Sequence, residues 1–193
     1  MARIEPVAKA DWPSEITDFI ANFQASVRGD RPPGNRPGGV NLLGTLVRYP
    51  ELAMPFLTFN GHFLYGNSLS PRHREMLILR VATLRHCDYE WAQHTLLAGD
   101  AGLSAQEIEY ATAGPDTPGW APIEQALLRA VDELIGDGAI GGDTWKLLAA
   151  EFDEKQLMDV VFTVATYEMV AMMLRSLDVD PEPDLVPHLP DRK

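Results

Sequence analysis

Four side chains in residues 70–102 have types and spacings suited to proton or thiol chemistry: Glu75, Cys87, Glu90 and His94. With Cys87 at the origin of a helical wheel and about 100° per residue, Cys87, Glu90, Trp91, His94, Leu97, Ala98 and Ala101 share an arc of roughly 120°. Asp88, Ala92, Gln93, Thr95, Gly99 and Asp100 face the other way. A thiol, a carboxylate and an imidazole therefore lie on the stripe that carries the helix's apolar contacts. Titratable groups on such a stripe are costly unless paired. A carboxylate beside an imidazole fixes its tautomer and supplies general acid–base chemistry near neutral pH.

The elements that position these groups are two helices meeting at a break near residues 85–88. Ser70 is the expected N-cap and Pro71 the first residue of the earlier helix. Glu75 shares a face there with Ile78, Leu79 and Ala82, and Met76, Leu77, Val81 and Leu84 make the helix apolar nearly all round, as in a buried central helix. If the chain reverses at the break, Glu75 and His94 face one another. At 1.5 Å rise per residue their levels differ by roughly 6 Å, which two side chains can span.

The pattern Glu75, eleven residues, Cys87, two residues, Glu90, three residues, His94 resembles the carboxymuconolactone decarboxylase family, which includes the alkylhydroperoxidase D-like proteins. The peroxidase branch carries Cys-x-x-Cys followed by histidine. This chain matches it at Glu75, Cys87 and His94, and has Glu90 at the second cysteine. Glu90-Trp91-Ala92-Gln93-His94 is more similar to the E-x-x-x-H of the decarboxylase-type branch. Ala101-Gly102-Leu103-Ser104 and Glu107-Ile108 extend the resemblance, which covers residues 69–113. It implies an all-α bundle of the alkylhydroperoxidase D-like type. It also implies a homo-oligomer (dimer, trimer or hexamer) with sites near subunit interfaces.

The whole chain reads as an all-α bundle of about eight helices in one domain, 1–193, with an N-terminal arm (1–12) and a proline-rich C-terminal tail (180–193), the latter draped over a neighbouring subunit. Helices are expected over 14–24, 40–48, 50–65, 104–113, 122–137, 144–152 and 154–177, with Ser104, Asp143 and Asp153 as caps. Residues 28–39 form a Pro/Gly-rich loop whose three arginines are solvated or reach over a pocket mouth. His62 is expected in a core or surface role, and Tyr167 and Glu168 at a subunit interface or pocket edge.

The 193 residues suffice for a sizeable core. A net charge of −12 argues against nucleic acid or an anionic membrane as partner. One cysteine excludes an intrachain disulfide and fits a reducing, cytoplasmic setting. No apolar run in the sequence reads as a membrane span.

Three functions remain open. The first is an acid–base enzyme, decarboxylating or transferring protons on a small organic acid or lactone. In it His94 moves the proton, Glu75 or Glu90 orients the imidazole, and an arginine (Arg74, Arg80 or Arg85) holds the substrate carboxylate, with Trp91 lining the site. The second is a thiol peroxidase through Cys87. Asp88 and Glu90 oppose its thiolate, and there is no second cysteine to resolve a sulfenic acid. The third is a non-catalytic ligand-binding oligomer. Glu75, Glu90 and His94 are conceivable zinc or iron ligands, but no H-E-x-x-H and no second histidine at ligand spacing accompany them. The expectation is no metal and no cofactor.

Overall fold

The computed structural model describes residues 2–28 and 39–190, with side chains of 23–28 left aside. The arginine-bearing loop expected over 28–39 therefore lies almost wholly outside the described residues.

Among the described residues there are nine α-helices and no strand: α1 (Ser14–Arg28), α2 (Val40–Leu46), α3 (Pro50–Gly61), α4 (Pro71–Leu84), α5 (Asp88–Asp100), α6 (Ala105–Ala113), α7 (Pro122–Asp137), α8 (Gly142–Glu151) and α9 (Glu154–Leu177). The expected 50–65 helix is interrupted. After Gly61 the chain widens into a π turn, His62–Gly66.

Helix α4 is the axis of the bundle. Every residue from Glu75 to Ala82 is buried, and α5, α7 and α9 surround it. The Ser70 hydroxyl accepts the His73 N–H, closing its N-terminus as expected. Leu77, Ile78 and Val81 interlock with Leu127, Val131, Val160 and Val164 from α7 and α9. Met76 and Leu79 pack on Leu103, Ile108 and Leu128.

Caps explain most boundaries. Ser104 and Asp153 form reciprocal capping boxes with Glu107 and Gln156. Helix α8 departs from expectation, because Asp143 lies inside it. The capping work is done from α7, where the Glu133 carboxylate accepts the Gly141 N–H (2.8 Å) and the Thr144 hydroxyl (2.7 Å). A carboxylate from a neighbouring helix leaves no local sequence signal. The turn before α4 is held by Asp159 of α9, which accepts the Ser68 N–H and O–H and the His62 Nε2–H.

Both chain ends differ from expectation. The N-terminal arm is strapped down: the Arg3 N–H donates to Leu177 O and the Val7 N–H to Gly44 O. Gly44 is required there, since a Cβ would lie 2.6 Å from the Val7 carbonyl oxygen. The C-terminal tail packs on its own bundle. Leu185 is fully buried beside Cys87, Tyr89, Val170 and Leu174, and the Glu182 carboxylate accepts the Asn41 N–H (2.7 Å) and the Tyr89 O–H (2.9 Å). Together with α9, this tail packs on the Tyr89 and Ala92 side of α5, so α5 has a second covered side opposite the Glu90–His94 stripe.

Helix α9 has the length and hydropathy to cross a membrane, a property the sequence reading did not assign it. Here it is a core helix, burying Val160, Val164, Tyr167, Val170 and Leu174. Asp159 and the Glu168–Arg85 ion pair tie it to other elements.

Candidate active site

The reversal between α4 and α5 sets the site. His86 takes a left-handed conformation (φ 52°), and the Cys87 N–H reaches back to Ala82 O (2.8 Å). This is the helix-ending arrangement usually given to glycine. Cys87 then precedes α5 as its N-cap residue.

The reversal brings Glu75 and His94 into contact, with His94 Nδ1 2.7 Å from Glu75 Oε2. The Glu75 side chain is completely buried and that of His94 is 8% exposed. Burial pushes the Glu75 carboxyl upward, but His94 and Arg74 outweigh it and hold the group below the ordinary range. The carboxylate is thus ionised, so Nδ1–H donates and Nε2 is the nitrogen left for proton transfer. Arg74 completes the chain, its Nε and Nη2 each 2.8 Å from Glu75 Oε1.

Glu90 behaves differently. It is buried, and neither carboxylate oxygen has a hydrogen-bond partner among the described residues. Burial drives its carboxyl well above the usual range, which favours the protonated acid. It does not share the His94 imidazole with Glu75 through a hydrogen bond. Cys87 is buried as well. Burial and the Glu90 carboxyl push its thiol up to about 12, which keeps it protonated at neutral pH. The thiol lines a cleft of about 260 Å³ with Tyr89, Leu174, Arg175, Pro181 and Leu189.

The other sequence candidates lie in different settings. Arg80 is engaged on its own: its Nε and Nη2 donate to Asp132 (2.6 and 3.0 Å) and its Nη1 to Thr112 O (2.6 Å). Gly114 makes room for that guanidinium, since a Cβ there would lie 2.9 Å from Arg80 Nη2. Arg85 pairs with Glu168. Trp91 donates from Nε1 to Thr112 Oγ1 (3.3 Å) and packs on the α4–α6 cluster. Of the three arginines, only Arg74 contacts the Glu75–His94 pair.

Tyr167, expected at a subunit interface or pocket edge, is not linked to His94 by helical periodicity. It comes from α9, is buried, and sets its ring perpendicular to that of His94 at 4.9 Å between centroids. A lone tyrosine on an apolar helix gives no sequence signal of the histidine it meets. Among the described residues, no group of three or more His, Cys, Asp or Glu side chains is arranged to hold a metal ion.

These features define a class: an all-helical protein with a buried Arg–Glu–His chain beside a second buried carboxyl and a thiol. Residues 50–133 match the model of the carboxymuconolactone decarboxylase family. No curated protein matches the sequence. Solved structures share the fold. An uncharacterized peroxidase-related protein from Ralstonia eutropha JMP134, described as an alkylhydroperoxidase AhpD core, aligns with TM-score 0.75 and 16% identity, over 94% of this chain and 93% of that one. A similar protein from Silicibacter sp. TM1040 gives 0.75 and 16%, over 94% of each chain. The debrominase Bmp8, a cysteine-to-alanine variant in complex with 2,3,4-tribromopyrrole, gives 0.76 and 13%, over 96% of this chain and 94% of that one. At these identities the likeness shows the fold alone.

Proposed function

We propose that the chain is an acid–base enzyme of the decarboxylase type, acting on a small organic acid or lactone. The observation that carries this reading is the buried Arg74–Glu75–His94 chain, in which an ionised carboxylate holds Nδ1–H and leaves Nε2 to move protons. In the reaction, the bond between the substrate carbon and its carboxylate breaks. The electron pair passes into the adjoining carbonyl or unsaturated system, CO2 leaves, and an enolate remains. The imidazolium Nε2–H of His94 then protonates the carbon, and solvent restores the proton. Glu75 stabilises the imidazolium in a dry setting, where its charge counts for more than in water. Arg74 is the cation beside the site and the candidate for holding the substrate carboxylate.

The thiol at Cys87 supports the peroxidase alternative less well, because a protonated sulfur is a poor nucleophile. The test uses CO2 release and deuterium incorporation from D2O, over β-keto acids and unsaturated lactone acids. His94→Ala is expected to lower kcat/KM by about 10²–10⁴-fold. Cys87→Ser is expected to stay within a few-fold. Peroxide consumption with a dithiol reductant that Cys87→Ser abolishes, in the absence of CO2 release, overturns the reading.

We further infer a homo-oligomer. Met158, Phe162, Met169 and Met172 are exposed along α9, and the Phe162 ring stacks on Phe63, which meets the exposed Phe59.

A further inference from the structure

Buried polar atoms without partners are rare, because each loses its hydration with nothing in return. Three such atoms belong to the surroundings of His94: both oxygens of Glu90 and the hydroxyl of Tyr167. The two side chains come from different helices, α5 and α9, and both are at most 2% exposed. The Tyr167 ring is fixed edge-to-face on His94, and its hydroxyl lies in the electrostatic field of Glu75 and Glu90. Phenylalanine at 167 would keep the ring contact without burying a hydroxyl. An apolar residue at 90 would spare the bundle a desolvated carboxyl. The fold bears the cost of both polar groups without using either.

We propose that the Tyr167 hydroxyl and the Glu90 carboxyl form a two-donor site for a substrate oxyanion, the oxygen of an enolate or a carboxylate, beside His94. For its physiological ligand the assignment rests on the acid–base reading above; oxyanion binding itself does not. A neutral carboxylic acid and a phenol both donate O–H. Donors held in a water-poor site stabilise an oxyanion far better than water does, because they need no reorganisation as charge develops. Burial favours the protonated form of both groups, raising the Glu90 carboxyl and the Tyr167 phenol alike. Carbanion formation shifts charge onto the substrate oxygen, where the two donors receive it, while His94 Nε2–H serves the carbon. Cys87, one helical turn before Glu90, lines the 260 Å³ cleft, whose other walls come from residues 88–89, α9 and the C-terminal tail.

The test uses 4-nitrophenol and 3,4-dinitrophenol, whose phenolates absorb in the visible, titrated against the full chain near the pKa of each free probe. Binding is expected to raise the phenolate fraction. Tyr167→Phe and Glu90→Gln are each expected to weaken binding at least tenfold, whereas Tyr110→Phe, which removes a half-buried phenol that accepts from Gln106, leaves it unchanged. Because the Tyr167 hydroxyl has no partner, Tyr167→Phe is also expected to melt no lower than the parent chain. No binding at millimolar probe, or binding that both variants retain, overturns the proposal. So does a lower melting temperature of Tyr167→Phe with phenolate binding intact, which makes the hydroxyl structural. Phenolate binding without CO2 release from any substrate leaves the oxyanion site standing and removes the decarboxylase reading. CO2 release that Tyr167→Phe leaves unchanged does the reverse.

Discussion

At the scale of single residues, two glutamates on adjacent helices have opposite fates. Glu75 meets an imidazole and a guanidinium, which hold its carboxyl below the ordinary range; Glu90 meets neither, and burial raises its carboxyl. Their contributions to stability against pH therefore have opposite signs. The depressed group stabilises the fold above its unfolded pKa, and that contribution is lost as pH falls through its lower folded value. The raised group costs nothing below its unfolded pKa. As pH rises past that point the unfolded chain ionises while the folded chain holds its proton, and stability is lost. Glu90→Gln is accordingly expected to raise the melting temperature at pH 8, with the gain narrowing toward pH 4. Thermal melts at a series of pH values check this, and a gain independent of pH would show that Glu90 ionises in the fold.

At the scale of elements, the α4–α5 reversal and the C-terminal tail each brace the site. The reversal places a non-glycine residue in the left-handed region, at a cost of roughly 1–2 kcal/mol. His86→Gly is expected to recover about 1 kcal/mol or less, after glycine's own entropy cost, and to leave activity intact, measured by denaturant unfolding and turnover. The tail is anchored through Leu185, which has no exposed surface. Leu185→Ala is expected to cost about 2–5 kcal/mol. It should also raise the rate at which protease removes residues after α9. Uniform destabilisation without faster tail cleavage would mean that the tail does not open separately.

At the scale of the whole molecule, the exposed apolar stripe of α9 and the Phe59–Phe63–Phe162 cluster are the surface that a second copy would cover. Light scattering at micromolar concentration is expected to give at least twice the monomer mass, and Phe162→Glu to reduce it. A monomer at that concentration refutes the inference. Met173 packs inward, against the clusters around Cys87 and Ile16, so the face rests on Met158, Met169, Met172 and Phe162.

Much of the bundle was legible in the chain because its signals are local. Ser70-Pro71, the Ser104 and Asp153 caps and the 3.6-residue apolar period act over one or two turns, and the structure keeps α4, α6, α7 and α9 where they point. The contact between Glu75 and His94 was legible for a related reason: a short reversal between two long helices leaves few registers. Tertiary structure alone decided the rest. Tyr167 meets His94 across 73 positions of sequence (167 − 94), Glu133 caps a helix it does not belong to, and Arg80 is drawn away to Asp132. Ionisation was decided in the same way. Glu75 and Glu90 have the same side chain on similarly apolar stripes, and only the partners delivered by neighbouring helices make one a carboxylate and the other an acid.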